Sequence, residues 1–200
     1  MRLRHILTGA PGSGKTAILA ALRDRGHHVV AEAATDIIHA FHAHGVQEPW
    51  RRADFLDRIV ALQRHRQVAA DRHAGGLTVF DRSPVCTLAL SVYLRCPVSA
   101  VLAAELDRIA RKNIYSRCVF FVHNIGFVEP TAARRISYAQ SLTFERIHLE
   151  VYRDLGYEIV DVNSGAVADR VALIEDVIGT APVTRPPARG CPAPTPGTGR

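Results

Sequence analysis

Short apolar runs alternate along this chain with longer segments in which apolar residues recur every three or four positions. The short runs are rich in Val, Ile and Phe and predict five β-strands, whereas the longer segments predict helices between them. The predicted strands are residues 4–8, 28–32, 77–81, 117–122 and 157–162. Because strands that alternate with helices pair in parallel, the pattern predicts an α/β fold in three layers, a five-stranded parallel sheet with helices on both faces.

Capping residues support the predicted helices. Gly26 follows the first helix, Gly75 and Gly76 follow the third, and Ser83 with Pro84 forms a cap and first turn for the fourth. The predicted helices are residues 15–25, 35–44, 50–73, 84–95, a segment that begins at 97, 138–155 and 167–178. Residues 123–137 are polar and carry few helix signals, so we expect a mobile flap there.

The C-terminal segment differs in composition from the rest. Residues 180–200 are rich in Pro and Gly and have too little apolar surface to order themselves. We therefore predict one domain over residues 1–179 and a flexible, disordered tail at 180–200.

The formal net charge of the chain is +6, and the tail supplies three of these charges without an acid. With only 6% aromatic residues, the chain lacks the basic and aromatic surface expected of a nucleic-acid-binding protein.

Cysteine spacing and apolar segment lengths exclude other classes. The four cysteines show neither zinc-like nor paired spacing. No run approaches the ~20 apolar residues that a membrane helix needs. The apolar run at the N-terminus is interrupted at Gly9 and is too short for a secretory signal. We therefore expect a cytoplasmic protein.

The segment that links the first strand to the first helix matches the phosphate-binding pattern G-x-x-x-x-G-K-[ST] at every fixed position. Its residues are Gly9, Ala10, Pro11, Gly12, Ser13, Gly14, Lys15 and Thr16. The glycines let backbone N–H groups turn towards phosphate oxygens, and the helix that begins near Lys15 adds the positive end of its dipole. Lys15 can reach the β- and γ-phosphates, and the Thr16 hydroxyl can bind Mg²⁺. The sequence therefore predicts a site for a nucleoside triphosphate and Mg²⁺.

Two further strands end in charged residues, at the sheet edge where ligands of open parallel sheets bind. Glu32 ends the second predicted strand and is a candidate base for an attacking hydroxyl, or a group that holds the water shell of Mg²⁺. Asp81 ends the third and is a candidate Mg²⁺ ligand together with Thr16. Arg82 follows it and is a candidate clamp for a substrate or its phosphate. The alternatives are an ordinary charged strand end for Glu32 and a helix cap for Asp81.

A pair of arginines lies in the polar segment after the fourth predicted strand. These residues, Arg134 and Arg135, are candidates to stabilise the negative charge of a transferring phosphoryl group while a flap excludes water. A solvated pair of surface arginines is the alternative interpretation.

Together these segments resemble the P-loop, AAA-type ATP-binding family that contains the nicotinamide-riboside kinase domain of NadR. The resemblance spans residues 3–178. It is carried by the segments I-L-T-G-A-P-G-S-G-K-T, V-V-A-E-A-A-T-D-I-I, V-F-D-R-S-P-V-C-T-L-A-L and H-L-E-V-Y-R-D-L-G-Y-E-I-V-D-V. It implies a P-loop NTPase fold of the nucleoside- or nucleotide-kinase type that binds ATP.

More distantly, the chain resembles the deoxynucleoside kinases, in which an acid after the second strand is the base and an acid-Arg-Ser run follows the third. This resemblance implies that Glu32 is the base and that Asp81-Arg82-Ser83 occupies the acid-Arg-Ser run. It also implies that Arg134 and Arg135 belong to the flap that closes over the phosphates in such kinases. Asn163, after the fifth strand, is expected beside the adenine, as the corresponding loop is in similar enzymes.

We therefore expect an ATP-dependent phosphotransferase that moves the γ-phosphate of ATP to a hydroxyl of a small-molecule acceptor, nucleoside-like or other. The alternative is a nucleotide-dependent switch that binds ATP or GTP, hydrolyses it slowly and recognises a phosphorylated partner or a lipid headgroup. A subunit of an ATPase ring is disfavoured, because no helical lid domain follows the predicted sheet. The sequence leaves open the acceptor and the oligomeric state, a homodimer included.

Overall fold

Five parallel strands form a single sheet in the order β2-β3-β1-β4-β5. The computed structural model describes residues 3–72, 77–124 and 137–180. Its strands are β1 (Leu3–Thr8), β2 (His28–Val30), β3 (Leu77–Asp81), β4 (Cys118–Val122) and β5 (Glu158–Val162). Because β1 lies between β3 and β4, the loop that follows it opens where the chain switches between the two halves of the sheet. Ligands of open α/β sheets bind at such switch points.

Helices cover both faces of the sheet, as the alternating pattern predicted. Within the described ranges they are α1 (Lys15–Asp24), α2 (Ala33–Ala43), α3 (Phe55–Ala70), α4 (Pro84–Leu94), α5 (Ala100–Arg111), α6 (Tyr138–Asp154) and α7 (Val167–Thr180). One face packs on α1 and α7, in a buried cluster that includes Leu7 and Ile174. The other packs on α3, α4, α5 and α6, in a cluster that includes Ile6 and Tyr152. Since the neighbours Ile6 and Leu7 belong to opposite faces, β1 is buried on both sides, as expected in a parallel sheet.

The strand β2 is shorter than predicted and ends at Val30. Glu32 is therefore not the last residue of a strand, which corrects the sequence prediction. It has an extended backbone, with φ −62° and ψ 136°, and is the N-cap residue of α2, which begins at Ala33. Its carboxylate makes no cap hydrogen bond to the backbone of this helix. One oxygen accepts from the Thr35 side chain and the other lies against Arg82, which follows β3.

The single helix predicted for residues 50–73 is divided in two. Pro49–Arg51 form a 3₁₀ turn, Arg52 is extended with ψ 139°, and α3 begins only at Phe55. Asp54 accepts hydrogen bonds from the Nε atoms of Arg52 at 3.0 Å and Arg58 at 2.7 Å. These bonds stabilise the break, which helical periodicity alone does not reveal. The Phe55 end of α3 then packs against α2 in a third apolar cluster.

Serine side chains begin three of the helices. Ser83 caps α4 through a 3.2 Å hydrogen bond to a backbone N–H, as predicted. Ser99 caps α5 in the same way, so the helix expected from residue 97 begins at Ala100. Ser137 and Gln140 form a reciprocal capping box at the start of α6.

Several predicted features fall outside the residues that the structure describes. They are Gly75 and Gly76, predicted to follow the third helix, residues 125–136 with Arg134 and Arg135, and residues 181–200 of the predicted tail. None of the described helices combines the length and the hydropathy that a membrane crossing requires.

Candidate active site

The loop between β1 and α1 has the backbone conformation of a phosphate cradle. Gly9, Gly12 and Gly14 have φ angles of 136°, 85° and 84°, which side-chain-bearing residues rarely adopt. A Cβ on Gly9 would lie 2.1 Å from the carbonyl oxygen of Val122 at the end of β4. The first glycine is therefore required both by its backbone angle and by its close approach to the sheet.

Lys15 is held inside this loop. Its Nζ donates hydrogen bonds to the carbonyl oxygens of Gly9 at 3.0 Å and Ala10 at 2.8 Å, and to Oγ of Ser13 at 3.1 Å. Burial and the neighbouring positive charge of Arg82 lower the pKa of Lys15 to about 7. A triphosphate at this loop would offer the ammonium stronger acceptors than these neutral oxygens. Such an exchange is what the loop motif predicts for Lys15.

Glu32 lies against Arg82. Its Oε1 lies 2.5 Å from the Nε atom of Arg82, and the two side chains form an ion pair. The Nε–H of Arg82 does not point at this oxygen, so the contact is not a hydrogen bond through Nε. Its Oε2 accepts a hydrogen bond from the Thr35 hydroxyl at 2.8 Å. Burial raises the pKa of Glu32, but the positive charges of Arg82 and Lys15 outweigh this effect and lower it below its usual value. The carboxylate is therefore ionised at neutral pH, as a base must be.

Asp81 carries a buried oxygen without a partner. It pairs with Leu7 in the β1–β3 register and so ends beside the phosphate loop. Its Oδ1 is buried and has no hydrogen-bond partner among the described residues. Burial and the negative charge of Glu32 raise the pKa of Asp81 to about 6. Since a buried acceptor is costly when unpaired, a ligand or cation is its natural partner.

These residues fit a magnesium ion. Mg²⁺ prefers hard oxygen ligands such as carboxylates and hydroxyls and is usually held by few protein groups together with substrate phosphates. The orphaned Oδ1 of Asp81 meets this requirement, and Thr16, exposed at the start of α1, supplies the hydroxyl. These groups are therefore of the kind that Mg²⁺ binds, and the role of Thr16 and Asp81 as its ligands stays a prediction.

Arg82 has an unusual backbone. Its φ of 70° lies in the left-handed region, which costs a non-glycine residue about 1–3 kcal/mol and is often found at functional sites. Its backbone N–H donates to the carbonyl oxygen of Leu7 at 3.1 Å. Its side chain is only 10% exposed. The sheet and the neighbouring acid thus hold this arginine in a conformation that its own backbone disfavours.

Two side chains that were not among the predicted site residues support this cluster. Arg66, in α3, donates from Nη1 to the backbone oxygens of Ala31 at 3.0 Å and Glu32 at 2.5 Å. His148, in α6, lies with Nε2 3.4 Å from Nη1 of Arg82. The signal for His148 was a polar residue on the apolar stripe of α6, four residues from Tyr152, another buried position. No comparable signal marks Arg66, because its role depends on where α3 packs.

A third missed residue contacts the phosphate loop from the opposite side. Arg170, in α7, donates from Nη2 to the carbonyl oxygen of Ser13 at 2.8 Å. A Cβ on Gly14 would lie 3.0 Å from its Nη1. Asn163 is exposed directly after β5, and its place beside adenine stays a prediction, as do the roles of Arg134 and Arg135.

A family model described as an AAA domain matches residues 4–170. The chain belongs to this AAA domain family. Among curated proteins, none matches the sequence. The family and the fold expected from the motifs are therefore confirmed.

Solved structures with the same fold include two of NadR. The complex of NadR with NAD and AMP-PNP has a TM-score of 0.65 at 13% identity, covering 94% of this chain and 52% of NadR. The complex with NR has a TM-score of 0.66 at 14% identity, covering 92% and 52%. This chain thus spans about half the length of NadR.

Deoxyadenosine kinase from M. mycoides is similar over its whole length. Its structure with bound dATP has a TM-score of 0.58 at 13% identity, covering 89% of this chain and 100% of that kinase. At such identities the likeness shows the P-loop kinase-like fold.

Proposed function

We propose that this AAA domain protein is a kinase that transfers the γ-phosphate of ATP to a hydroxyl of a small-molecule acceptor. One observation carries the proposal. An ionised carboxylate paired with an arginine, Glu32 with Arg82, and a buried carboxylate oxygen without a partner, on Asp81, lie together beside the phosphate loop. Phosphoryl transfer to a hydroxyl calls for a base, and Glu32 offers an ionised carboxylate at this place. NadR with AMP-PNP and deoxyadenosine kinase with dATP are similar proteins that bind adenine nucleotides, which supports ATP.

The phosphate loop would bind the triphosphate through its backbone N–H groups, with Lys15 on the β- and γ-phosphates. Thr16 and Asp81 would hold Mg²⁺, which neutralises charge on the phosphates when bound. The positive end of α1 faces the loop and adds a further favourable charge for the phosphates.

Glu32 would act as the base. Its Oε2, which now accepts from Thr35, would accept the proton of the acceptor hydroxyl instead. The hydroxyl oxygen then forms a bond to the γ-phosphorus, the bond from that phosphorus to the bridging oxygen breaks, and ADP leaves. Arg82 would orient the acceptor, and Arg134 and Arg135 would neutralise the charge that develops on the transferred group.

The test is a screen for acceptor-stimulated release of ADP, with nucleosides, sugars and small alcohols as acceptors. We expect at least one class to raise ADP release well above the rate in water. Glu32→Gln should remove this stimulation and still bind ATP, as measured by calorimetry. If no acceptor raises the rate, or if Glu32→Gln keeps it, the kinase proposal is wrong, and a nucleotide-dependent switch becomes the better description.

A further inference from the structure

Arg82 is held by contacts from three different elements. Its backbone N–H binds Leu7 in β1, its Nε faces Glu32 before α2, and its Nη1 lies 3.4 Å from Nε2 of His148 in α6. Its backbone is left-handed, with φ 70°, and β3 ends at the residue before it, Asp81. The two side-chain contacts define the plane of the guanidinium, and neither of them uses Nη2.

The hydrogen bonds of His148 determine which of its nitrogens carries the proton. The side chain is completely buried, and Nδ1 lies 3.0 Å from the carbonyl oxygen of Phe144. Since a carbonyl only accepts hydrogen bonds, Nδ1 must carry the proton in this contact. In the neutral ring Nε2 then has a lone pair, and this lone pair faces the N–H donors of Arg82.

Packing keeps the imidazole in this orientation. Its ring stands edge-on to Phe144, with ring centroids 4.2 Å apart and an interplanar angle of 88°. Burial and the positive charge of Arg82 lower the pKa of His148 to about 3. The ring is therefore uncharged at any pH at which the protein would work, and it does not repel the arginine.

An uncharged acceptor has a specific advantage beside this arginine. A carboxylate in place of His148 would hold the guanidinium but would add a second negative charge beside Arg82, which already pairs with Glu32. A neutral imidazole orients Arg82 without adding that charge. The ion pair with Glu32 then remains the single charged side-chain contact of Arg82 among the described residues.

We propose that His148 is a positioning residue that acts through Arg82, orienting its guanidinium beside Glu32 so that Nη2 faces the phosphoryl acceptor. This role rests on the proposed kinase function. It predicts that an acceptor atom at the Nε2 position matters more than the imidazole ring itself.

Four proteins test the proposal: the wild type, His148→Leu, His148→Gln and His5→Leu. Leu fills the space without an acceptor, whereas the side-chain oxygen of Gln can accept in place of Nε2. His5 is the matched control, because it is also a buried histidine beside a phenylalanine. It is 1% exposed, and its ring centroid lies 5.6 Å from that of Phe120. The measurements are kcat with the acceptor, KM for ATP, and ¹⁵N NMR of the Arg82 side chain.

We expect His148→Leu to lower kcat about 10–100-fold, the range that a small misplacement of a positioning group produces, and to leave KM for ATP within about twofold. His148→Gln should recover most of kcat, and His5→Leu should keep it. In the NMR spectra, the Arg82 side-chain signals should broaden in His148→Leu and sharpen again in His148→Gln. Equal impairment of both His148 variants, or normal kcat in His148→Leu, would overturn the proposal.

Two further outcomes are also decisive. If His148→Leu does not fold, the imidazole ¹⁵N shifts of the wild type decide, because a proton on Nε2 contradicts the proposal and a proton on Nδ1 supports it. If the wild type shows no acceptor-dependent turnover, the kinase function fails on its own. The NMR signals of the Arg82 side chain then decide the role of His148. Unchanged signals in both His148 variants would overturn it. Signals that are lost in His148→Leu and recovered in His148→Gln would support it.

Discussion

Two charged clusters flank the phosphate loop at the carboxyl edge of the sheet, and they differ in how fully their polar groups are paired. The first, on the β2–β3 side, contains Glu32, Asp81 and Arg82. The second, on the β4–β5 side, is defined by His123, Glu145 and Asp161. In the second cluster Nδ1 of His123 lies 2.9 Å from Glu145 and Nε2 lies 2.7 Å from Asp161, so both ring nitrogens have a partner.

The difference separates a cluster with an unpaired buried oxygen from one whose polar groups satisfy each other. The first cluster has a buried Asp81 oxygen without a described partner and a strained backbone at Arg82. In the second cluster the other oxygen of Glu145 accepts from the backbone N–H of Asn124 at 3.0 Å, and Asp161 is 54% exposed. Both clusters combine acids with a cationic group at the same edge. Charge alone therefore does not distinguish the candidate site, whereas an unpaired, buried polar atom beside a strained residue does.

The largest expected effect separates the two clusters by activity. Glu32→Gln should lower acceptor-dependent turnover about 10²–10⁴-fold, the usual contribution of a general base. The matched variant Glu145→Gln removes a carboxylate from the same sheet edge and should keep turnover within about threefold, because His123 does not touch the acceptor in the proposed reaction. Steady-state rates with a productive acceptor check both values. Equal losses in the two variants would contradict the comparison.

The next effect is a change in the free energy of unfolding, and it has opposite signs in the two clusters. Asp81→Asn removes a poorly solvated charge beside Glu32, so it should stabilise the ligand-free protein at pH 8 by roughly 1–2 kcal/mol while lowering Mg²⁺-dependent turnover. Asp161→Asn removes a partner of His123 and should destabilise the protein by less than about 1 kcal/mol.

Urea unfolding of both variants and the wild type measures these changes. The same sign for both substitutions would show that the two clusters are alike. If Asp81→Asn destabilised the protein, the buried charge of Asp81 would not lower the stability of the folded state, as its unpaired oxygen implies.

The smallest effect is a dependence of stability on pH. Burial lowers the pKa of His123, but its hydrogen bonds to Asp161 and Glu145 outweigh this and raise it above its usual value. A group whose pKa is raised by folding binds its proton more tightly in the folded protein. Its stabilisation is complete below the unfolded pKa of about 6.5 and is lost as the pH rises through the higher folded value.

We therefore expect the wild type to lose stability between about pH 6 and pH 8 by up to about 1 kcal/mol more than His123→Gln does. Thermal unfolding of both proteins over this range is the measurement. Parallel pH profiles would mean that the two carboxylates do not stabilise the imidazolium.

Local patterns predicted most of the fold. The strands and helices followed from apolar periodicity, because each pattern is complete within one segment. The phosphate loop followed from glycines and a lysine at fixed spacing, because eight consecutive residues make the cradle. Errors occurred at the ends of elements: the predicted helix 50–73 is interrupted at Arg52, which is extended, and Glu32 lies at a helix start instead of a strand end. Periodicity does not mark such ends to the residue.

By itself, the sequence determined the three-layer α/β fold, the phosphate loop and the two acids that end beside it, since periodicity and motif spacing are properties of short segments. Only the tertiary structure decided that Arg82 contacts both Glu32 and His148. His148 lies 66 residues from Arg82 along the chain. The tertiary structure alone also showed that Arg66 and Arg170 support the site. Contacts between distant segments depend on the strand order β2-β3-β1-β4-β5 and on how α3, α6 and α7 pack against it. That information does not reside in any one segment.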